Sequence, residues 1–331
     1  MTIEEKPEKN SGAEWWAERT KKLLDEQRAS WQLLRINYEN LANIQTREFT
    51  FEDFEIKIQF NPDRIKSSSA DVSDVAIKSR KCFLCLDNLP AEQNSLAYNK
   101  HFSILSNPHP IFLEHFTISK RNHTPQTIIG NFEELLDLAR SLGKYYTIFY
   151  NGPQCGSSAP DHMHFQAGTK NIMPIEYEFN KMVNRLPRAV IGNGKIEVRF
   201  FEEFLRYFIS FESRDKGELL FAFKTFVNAF KKISAPYNEP MMNLTASYQK
   251  DIWRLIIFPR QVHRPLQFFA DTEKQLLISP AAVDMSGIFI TPRKEDYEKI
   301  TQDDVIDIFK QVTITKEYFE FLRKKIGEIF I

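Results

Sequence analysis

Short runs in which apolar and polar residues alternate recur along this chain, and each half interrupts them with a stretch of helical spacing. That order limits the fold more than any other feature. In the first half, HFSIL (101–105) and HFTIS (115–119) read as strands. NFEELLDLARSLGKYY (131–146) reads as a helix with Phe132, Leu135, Leu136 and Leu138 on its buried side, and Gly143 suits its C-terminal cap. YTIFYN (146–151) and HMHFQAG (162–168) are strands again. The second half follows more loosely: a strand at KIEVRFF (195–201), a helix over about 217–233, then strands at MMNLTASY (241–248) and DIWRLIIF (251–258). The order strand–strand–helix–strand–strand in both halves suggests a duplication. It predicts an α+β fold of two similar halves, each an antiparallel sheet with helices packed on it.

The remaining segments fit around this frame. Residues 1–12 are polar and charged and read as a disordered tail. From Trp15 to about Tyr38 apolar residues recur at helical spacing, which predicts one amphipathic helix. TREFTFEDFEIKIQF (46–60) predicts two strands joined at Glu52-Asp53, and residues 61–74 read as a loop. KEYFEFLRKKIGEIF (316–330) closes the chain as a helix. The units expected are an N-terminal tail and helix (1–45), a catalytic half (46–190) and a second half (191–331). Lys plus Arg and Asp plus Glu are 44 each, so there is no excess positive charge to hold a nucleic acid or an anionic membrane. No run of about 18 apolar residues spans a bilayer. The N-terminus carries charges where an export signal is apolar, and three cysteines make no disulfide framework, so a reduced, cytoplasmic setting is expected.

Chemistry concentrates in two places. In Asp161-His162-Met163-His164-Phe165-Gln166, a strand's period of two puts His162, His164 and Gln166 on one face and Met163 and Phe165 on the other. The loop before it, GPQCGSSAP (152–160), has small residues whose N–H groups can approach an anion. Cys82-Phe83-Leu84-Cys85 is the second signal. In a reduced compartment it is half a metal site or a thiol pair, and the polar AIKSRK before it does not favour the thiol pair. A metal would need histidines as its further ligands, drawn from His101, His109, His115, His123, His162, His164 and His263. Arg64 with Ser67–Ser69, and the cluster Arg260, His263 and Arg264, are weaker candidates for anion contacts.

His162-x-His164-x-Gln166 resembles the H-x-H-x-Q signature of the transferase branch of the histidine-triad superfamily. That branch holds galactose-1-phosphate uridylyltransferase, diadenosine tetraphosphate phosphorylase and the GDP-hexose phosphorylases. Phe149-Tyr150-Asn151-Gly152, running into Gly156-Ser157-Ser158, extends the resemblance upstream. HFQAG followed by Met173-Pro174-Ile175-Glu176, and SPAAVDMSGIFITPRKEDYEKIT (279–301), are more similar to the GDP-hexose phosphorylases. The C-F-L-C pair is like the zinc-bearing uridylyltransferases.

The resemblance implies two histidine-triad-like halves and a nucleotidyl-histidine intermediate on His164. It implies that Gln166, which cannot deliver a proton, favours transfer over hydrolysis. Gly156, Ser157 and Ser158 would meet phosphate oxygens, and Asn151 would orient His164 or the phosphate. Arg64 and Ser67 would match a phosphate-contacting loop that reaches across a homodimer interface, and Phe102 would be a base-stacking wall. A structural zinc would lie on Cys82, Cys85, His123 and His162, with His115 as the rival to His123. Ala159 and Asp161 depart from the uridylyltransferase wording. DIWRLIIF has no histidine, so one active site per chain is expected. The implied reaction takes a nucleotide sugar with inorganic phosphate or a sugar 1-phosphate, as a GDP-hexose phosphorylase does. The alternatives are a hexose-1-phosphate uridylyltransferase, a dinucleoside polyphosphate phosphorylase, a hydrolase, or a zinc-braced nucleotide-binding protein without turnover.

Overall fold

The computed structural model describes residues 2–3, 12–52, 54–185, 192–235, 237–271 and 273–330. Its strands, in chain order, are β1 (Thr2–Ile3), β2 (Gln45–Phe51), β3 (Phe54–Phe60), β4 (Ser95–Ala97), β5 (Phe102–Ser106), β6 (His115–Lys120), β7 (Tyr146–Asn151), β8 (His164–Thr169), β9 (Ile196–Phe201), β10 (Phe208–Ser213), β11 (Met242–Gln249), β12 (Ile252–Pro259) and β13 (Ile288–Thr291). Ten of them form one sheet in the order β1-β4-β5-β6-β8-β7-β11-β12-β10-β9, antiparallel except at β1–β4.

The duplication is visible in that order. The first half runs β5, β6, helix Phe132–Leu142, β7, β8, and the second runs β9, β10, helix Lys216–Phe230, β11, β12. Their sheet orders mirror each other about the β7–β11 junction, where Asn151 pairs with Asn243 and Tyr150 with Leu244. The halves therefore share one continuous sheet. Their helices meet on the same face, where Phe132 stacks on Phe223 at 3.8 Å. The second strand of the second half, β10, had no counterpart in the sequence reading.

Alternation along the strands sorts side chains between two cores. Phe102, Phe116, Ile118, Ile148, Met163 and Phe165 face the helices, with Leu135, Leu136, Phe226 and Phe319. Phe149, Ile256 and Phe258 face a second layer built on a small sheet, β13-β3-β2, with helices Pro174–Arg185 and Gln302–Val312. The β2–β3 hairpin turns at Glu52, which is left-handed at φ +43°. β13 from the second half pairs in parallel with β3 from the first, Phe289 against Ile58. The expected boundary at 190/191 lies outside the described residues.

Three local expectations are corrected. The helix from Trp15 to Tyr38 is two helices, Ala13–Ser30 and Gln32–Asn40. The chain leaves helical geometry at Trp31 (φ −114°, ψ 102°), which is buried in the core. The second helix can then turn Asn37 to donate to Pro108 O at 2.6 Å. Residues 61–74 hold a 3-10 turn, Pro62–Arg64, and a helical turn, Ile65–Ser68; Ser73 caps a further helix, Asp74–Ser79. Gly143 is the C-cap of its helix, as expected, with its N–H donated to Ala139 O; it stays in the right-handed region (φ −68°). In the expected tail, Thr2 and Ile3 pair with β4, and residues 4–11 lie outside the described residues. No described helix is long and apolar enough to cross a membrane.

Candidate active site

His164 is the first residue of β8 and Gln166 the third, so both face away from the helices while Phe165 enters the core. The turn ahead of them is fastened by hydrogen bonds. Gln126 accepts from His164 N–H at 2.8 Å and donates to Asn151 O (2.8 Å) and His164 O (3.1 Å), joining the ends of β7 and β8. Met163 N–H donates to Thr124 O at 2.7 Å.

The His164 ring has a defined proton. Nδ1 lies 2.8 Å from His162 O, a carbonyl that can only accept, so Nδ1 carries hydrogen and Nε2 keeps its lone pair. Burial pushes the imidazole down to about 4, so the ring is neutral at pH 7. It is 5% exposed. A cavity of about 640 Å³ lies beside this turn. It is lined by Gln126, Pro160, Gln154, Lys120, Tyr237 and Glu239 among others, and His164 is not part of its wall.

Around His164 the expected residues take different places. Asn151 Oδ1 accepts from Asn243 Nδ2 (2.9 Å) and Ala282 N–H (2.7 Å). Asn243 Oδ1 in turn accepts from the buried Arg260 at 2.6 Å, so Arg260 is a structural cation holding the sheet junction. Gly156 is left-handed at φ +85° and packs against Ala281. Ser157 is buried, and its hydroxyl has no hydrogen-bond partner among the described residues; Ser158 is half-buried beside it. Gln166 Oε1 lies 3.0 Å from His115 Nε2.

Arg64 donates to His109 O at 2.7 Å, and its Nε has no partner among the described residues. Burial lowers its guanidinium to about 10, and its charge acts on His115 and Asp284 of the same chain. Ser67 sits half-buried in the next helical turn. Phe102 is corrected: it is 1% exposed and packs against Phe165 at 5.7 Å on the helix side, where no base can stack on it.

Cys82, Cys85, His123 and His162 converge, with one ligand atom from each lying within 4.8 Å of the others. His162 Nδ1 is 3.2 Å from Cys82 Sγ and 3.5 Å from Cys85 Sγ, and His123 Nδ1 is 3.2 Å from Cys85 Sγ. His162 precedes β8 instead of lying within it. Its Nε2 meets Lys120 O at 2.7 Å, which fixes the proton there and aims Nδ1 at the thiols. Burial raises the Cys85 thiol to about 11, and the nearby Cys82 adds to this. Two sulfurs and two imidazole nitrogens at this spacing fit a metal of zinc's ligand preference. His115 lies elsewhere, on Gln166. Arg80 bonds Asp161 at 2.5 Å and covers Phe83, tying the cysteine loop to the histidine turn.

Sequence reasoning missed Gln126, Asn243 and the role of His115. Each acts through a partner distant in sequence, and no local spacing marks it.

Residues 23–169 match a family model described as a domain of unknown function, DUF4922. Residues 186–330 match the GDPGP1-like C-terminal domain. No curated protein matches the chain in sequence. Among solved structures, yeast Ap4A phosphorylase Apa2 in complex with Ap4A superposes with a TM-score of 0.57 at 14% identity, covering 89% of this chain and 97% of that one. A further crystal structure of yeast Ap4A phosphorylase Apa2 gives 0.52 at 14% identity, over 86% and 96%. A uridylyltransferase gives 0.39 at 10% identity, over 76% and 93%. The Apa2 likeness shows a shared fold.

Proposed function

We propose, on the premise that this chain belongs to the transferase branch of the histidine-triad superfamily, that it phosphorolyses a nucleotide sugar through a nucleotidyl group carried on His164. The observation that carries this reading is the His164 ring itself. It is neutral, and with its Nδ1 proton committed to His162 O, Nε2 keeps the lone pair that an attack on phosphorus requires. In the first step Nε2 bonds to the α-phosphorus, and the bond from phosphorus to the bridging oxygen breaks. Sugar 1-phosphate leaves with that electron pair. In the second step an oxygen of inorganic phosphate attacks the same phosphorus, the N–P bond breaks, and nucleoside diphosphate departs. One hard displacement becomes two easier ones.

The surrounding residues stabilise charge without supplying protons. The Gln166 amide would donate to a non-bridging oxygen, and the unpartnered Ser157 hydroxyl and the Arg64 guanidinium would meet the others. At 5% exposure the ring is sheltered from bulk water, which protects a nucleotidyl-histidine from hydrolysis. A zinc held by Cys82, Cys85, His123 and His162 would be structural, since four protein ligands leave no open position. It would fix the His162 main chain, whose carbonyl orients His164.

The resemblance of residues 162–176 and 279–301 to the GDP-hexose phosphorylases supports GDP-hexose as donor. A second reading, phosphorolysis of a dinucleoside polyphosphate, is favoured by the likeness to Apa2 over most of both chains. The test is a panel of GDP-, UDP- and ADP-hexoses and Ap4A, with and without inorganic phosphate, read by product mass. GDP and hexose 1-phosphate formed only with phosphate are expected. Nucleoside monophosphate released without phosphate would indicate a hydrolase. Binding without turnover would indicate a nucleotide-binding protein.

A further inference from the structure

His115 is fully buried at the start of β6, and its surroundings fix both ring nitrogens. Ile111 N–H donates to Nδ1 at 3.2 Å, so Nδ1 is bare and the proton sits on Nε2. That Nε2 points at Gln166 Oε1, 3.0 Å away. The ring is wedged edge-on to Phe112 (5.4 Å) and tilted against Phe149 (5.9 Å). Gly168, opposite His115 in the sheet register, makes this packing possible, because a Cβ there would lie 2.4 Å from the Phe112 ring. The Tyr38 hydroxyl accepts from His115 N–H (3.3 Å) and donates to His115 O (3.0 Å), anchoring the main chain.

A glutamine amide has two ends of nearly equal shape and opposite hydrogen-bonding character. Turned one way it offers N–H to a phosphate oxygen. Turned the other way it offers a second oxygen, which repels it. We propose that His115 is the positioning residue that decides this: by donating from Nε2 to Gln166 Oε1, it holds the amide with its NH2 group toward the phosphate. The inference rests on the nucleotidyl-transfer reading above. Burial and the nearby Arg64 charge keep the ring neutral, its pKa lowered to about 3, so the single N–H persists across the working pH range.

The experiment measures single-turnover formation of nucleotidyl-enzyme from GDP-hexose in wild type, His115→Phe and His115→Gln. The two substitutions are repeated in Gln166→Ala, with unfolding curves confirming that each variant folds. Phe keeps a ring between Phe112 and Phe149 and removes the donor. Gln restores an N–H near the position of Nε2. His115→Phe should slow adduct formation by about 10- to 100-fold, less than the loss of a whole oxyanion donor. His115→Gln should recover most of that rate. In Gln166→Ala the His115→Phe change should cost less than about twofold, because its route of action is gone. Equal damage from Phe and Gln, with losses that multiply in Gln166→Ala, would mean that the ring only packs, and an unaffected His115→Phe would also overturn the proposal. If wild type forms no adduct with any nucleotide, the reaction reading fails. The nitrogen NMR spectrum of the His115 ring then decides the contact alone: a proton on Nε2 supports the orientation, and a proton on Nδ1 overturns it.

Discussion

Gly156→Ala offers a quantitative test of the small-residue loop before the histidine turn. The residue sits at φ +85°, and an added Cβ would lie 2.5 Å from Ala281 Cβ, 3.0 Å from Ala281 Cα and 3.2 Å from Pro280 O. Carbon atoms in contact prefer about 3.5–4.0 Å, so segment 280–282 would have to withdraw by roughly 1 Å. The left-handed backbone costs a non-glycine residue about 1–2 kcal/mol, and the forced displacement adds about 1–3 kcal/mol. The expected loss is therefore about 2–5 kcal/mol. Gly130 is the control. It is equally left-handed at φ +82° but has nothing within 4 Å of its would-be Cβ, so Gly130→Ala should show the backbone cost alone. Ala281→Gly removes the nearest atom and should restore part of the stability of Gly156→Ala. Adduct formation should slow as well, because the displaced segment supplies the Ala282 N–H that holds Asn151 at 2.7 Å. Equilibrium denaturation of the variants reads the energies. Equal losses at positions 130 and 156, or no recovery with Ala281→Gly, would refute the steric argument.

Other outcomes follow from the same geometry. Purified protein should contain about one zinc per chain by elemental analysis, given one four-ligand cluster. Cys82→Ser or His123→Ala should lose the metal and lower the melting temperature; full metal content in both variants would exclude the cluster. His115 should also make stability acid-sensitive. Its pKa is about 3 when folded, against about 6.5 unfolded, so the unfolded chain binds the proton more readily between those values. The contribution is complete above pH 6.5 and falls as pH drops toward 3. At pH 5 the loss is about 2 kcal/mol. Between pH 7 and 5, His115→Phe should lose less stability than wild type by about that amount, and parallel pH profiles would contradict it. Arg64→Ala should raise KM for the donor more than it lowers kcat, if the guanidinium meets phosphate in ground and transition states alike; unchanged KM would remove Arg64 from the site.

What the sequence revealed depended on how local each signal was. The β2–β3 hairpin and the strand carrying Phe165 and Gln166 declare themselves by alternation, and a period of two is set within a few residues. The family signature supplied the metal cluster, because Cys82, Cys85, His123 and His162 sit at recognisable places relative to strands. Trp31 hid a helix break, since helical spacing continues across it while its backbone does not. Phe102 was misplaced because one aromatic on a strand can face either side, and the core face was settled only by its packing on Phe165. Arg260 reads in the sequence as a candidate anion contact beside His263 and Arg264. In the fold it is a buried tie between Asn243 and the 280 segment, through contacts 17 and 20 residues apart in sequence. The resemblance makes His115 a rival metal ligand because related proteins carry a histidine before the corresponding strand. The contact of His115 with Gln166 exists only once β6 and β8 pair.

The proposed reaction requires His164 Nε2 to take up a nucleotidyl group. Intact-protein mass after exposure to GDP-hexose without phosphate tests it most directly, followed by peptide mapping. A gain of one guanosine monophosphate, labile in acid, mapped to His164 and absent from His164→Gly, is the expected result. An unmodified wild type across the whole donor panel, or a gain that persists in His164→Gly, would contradict the account.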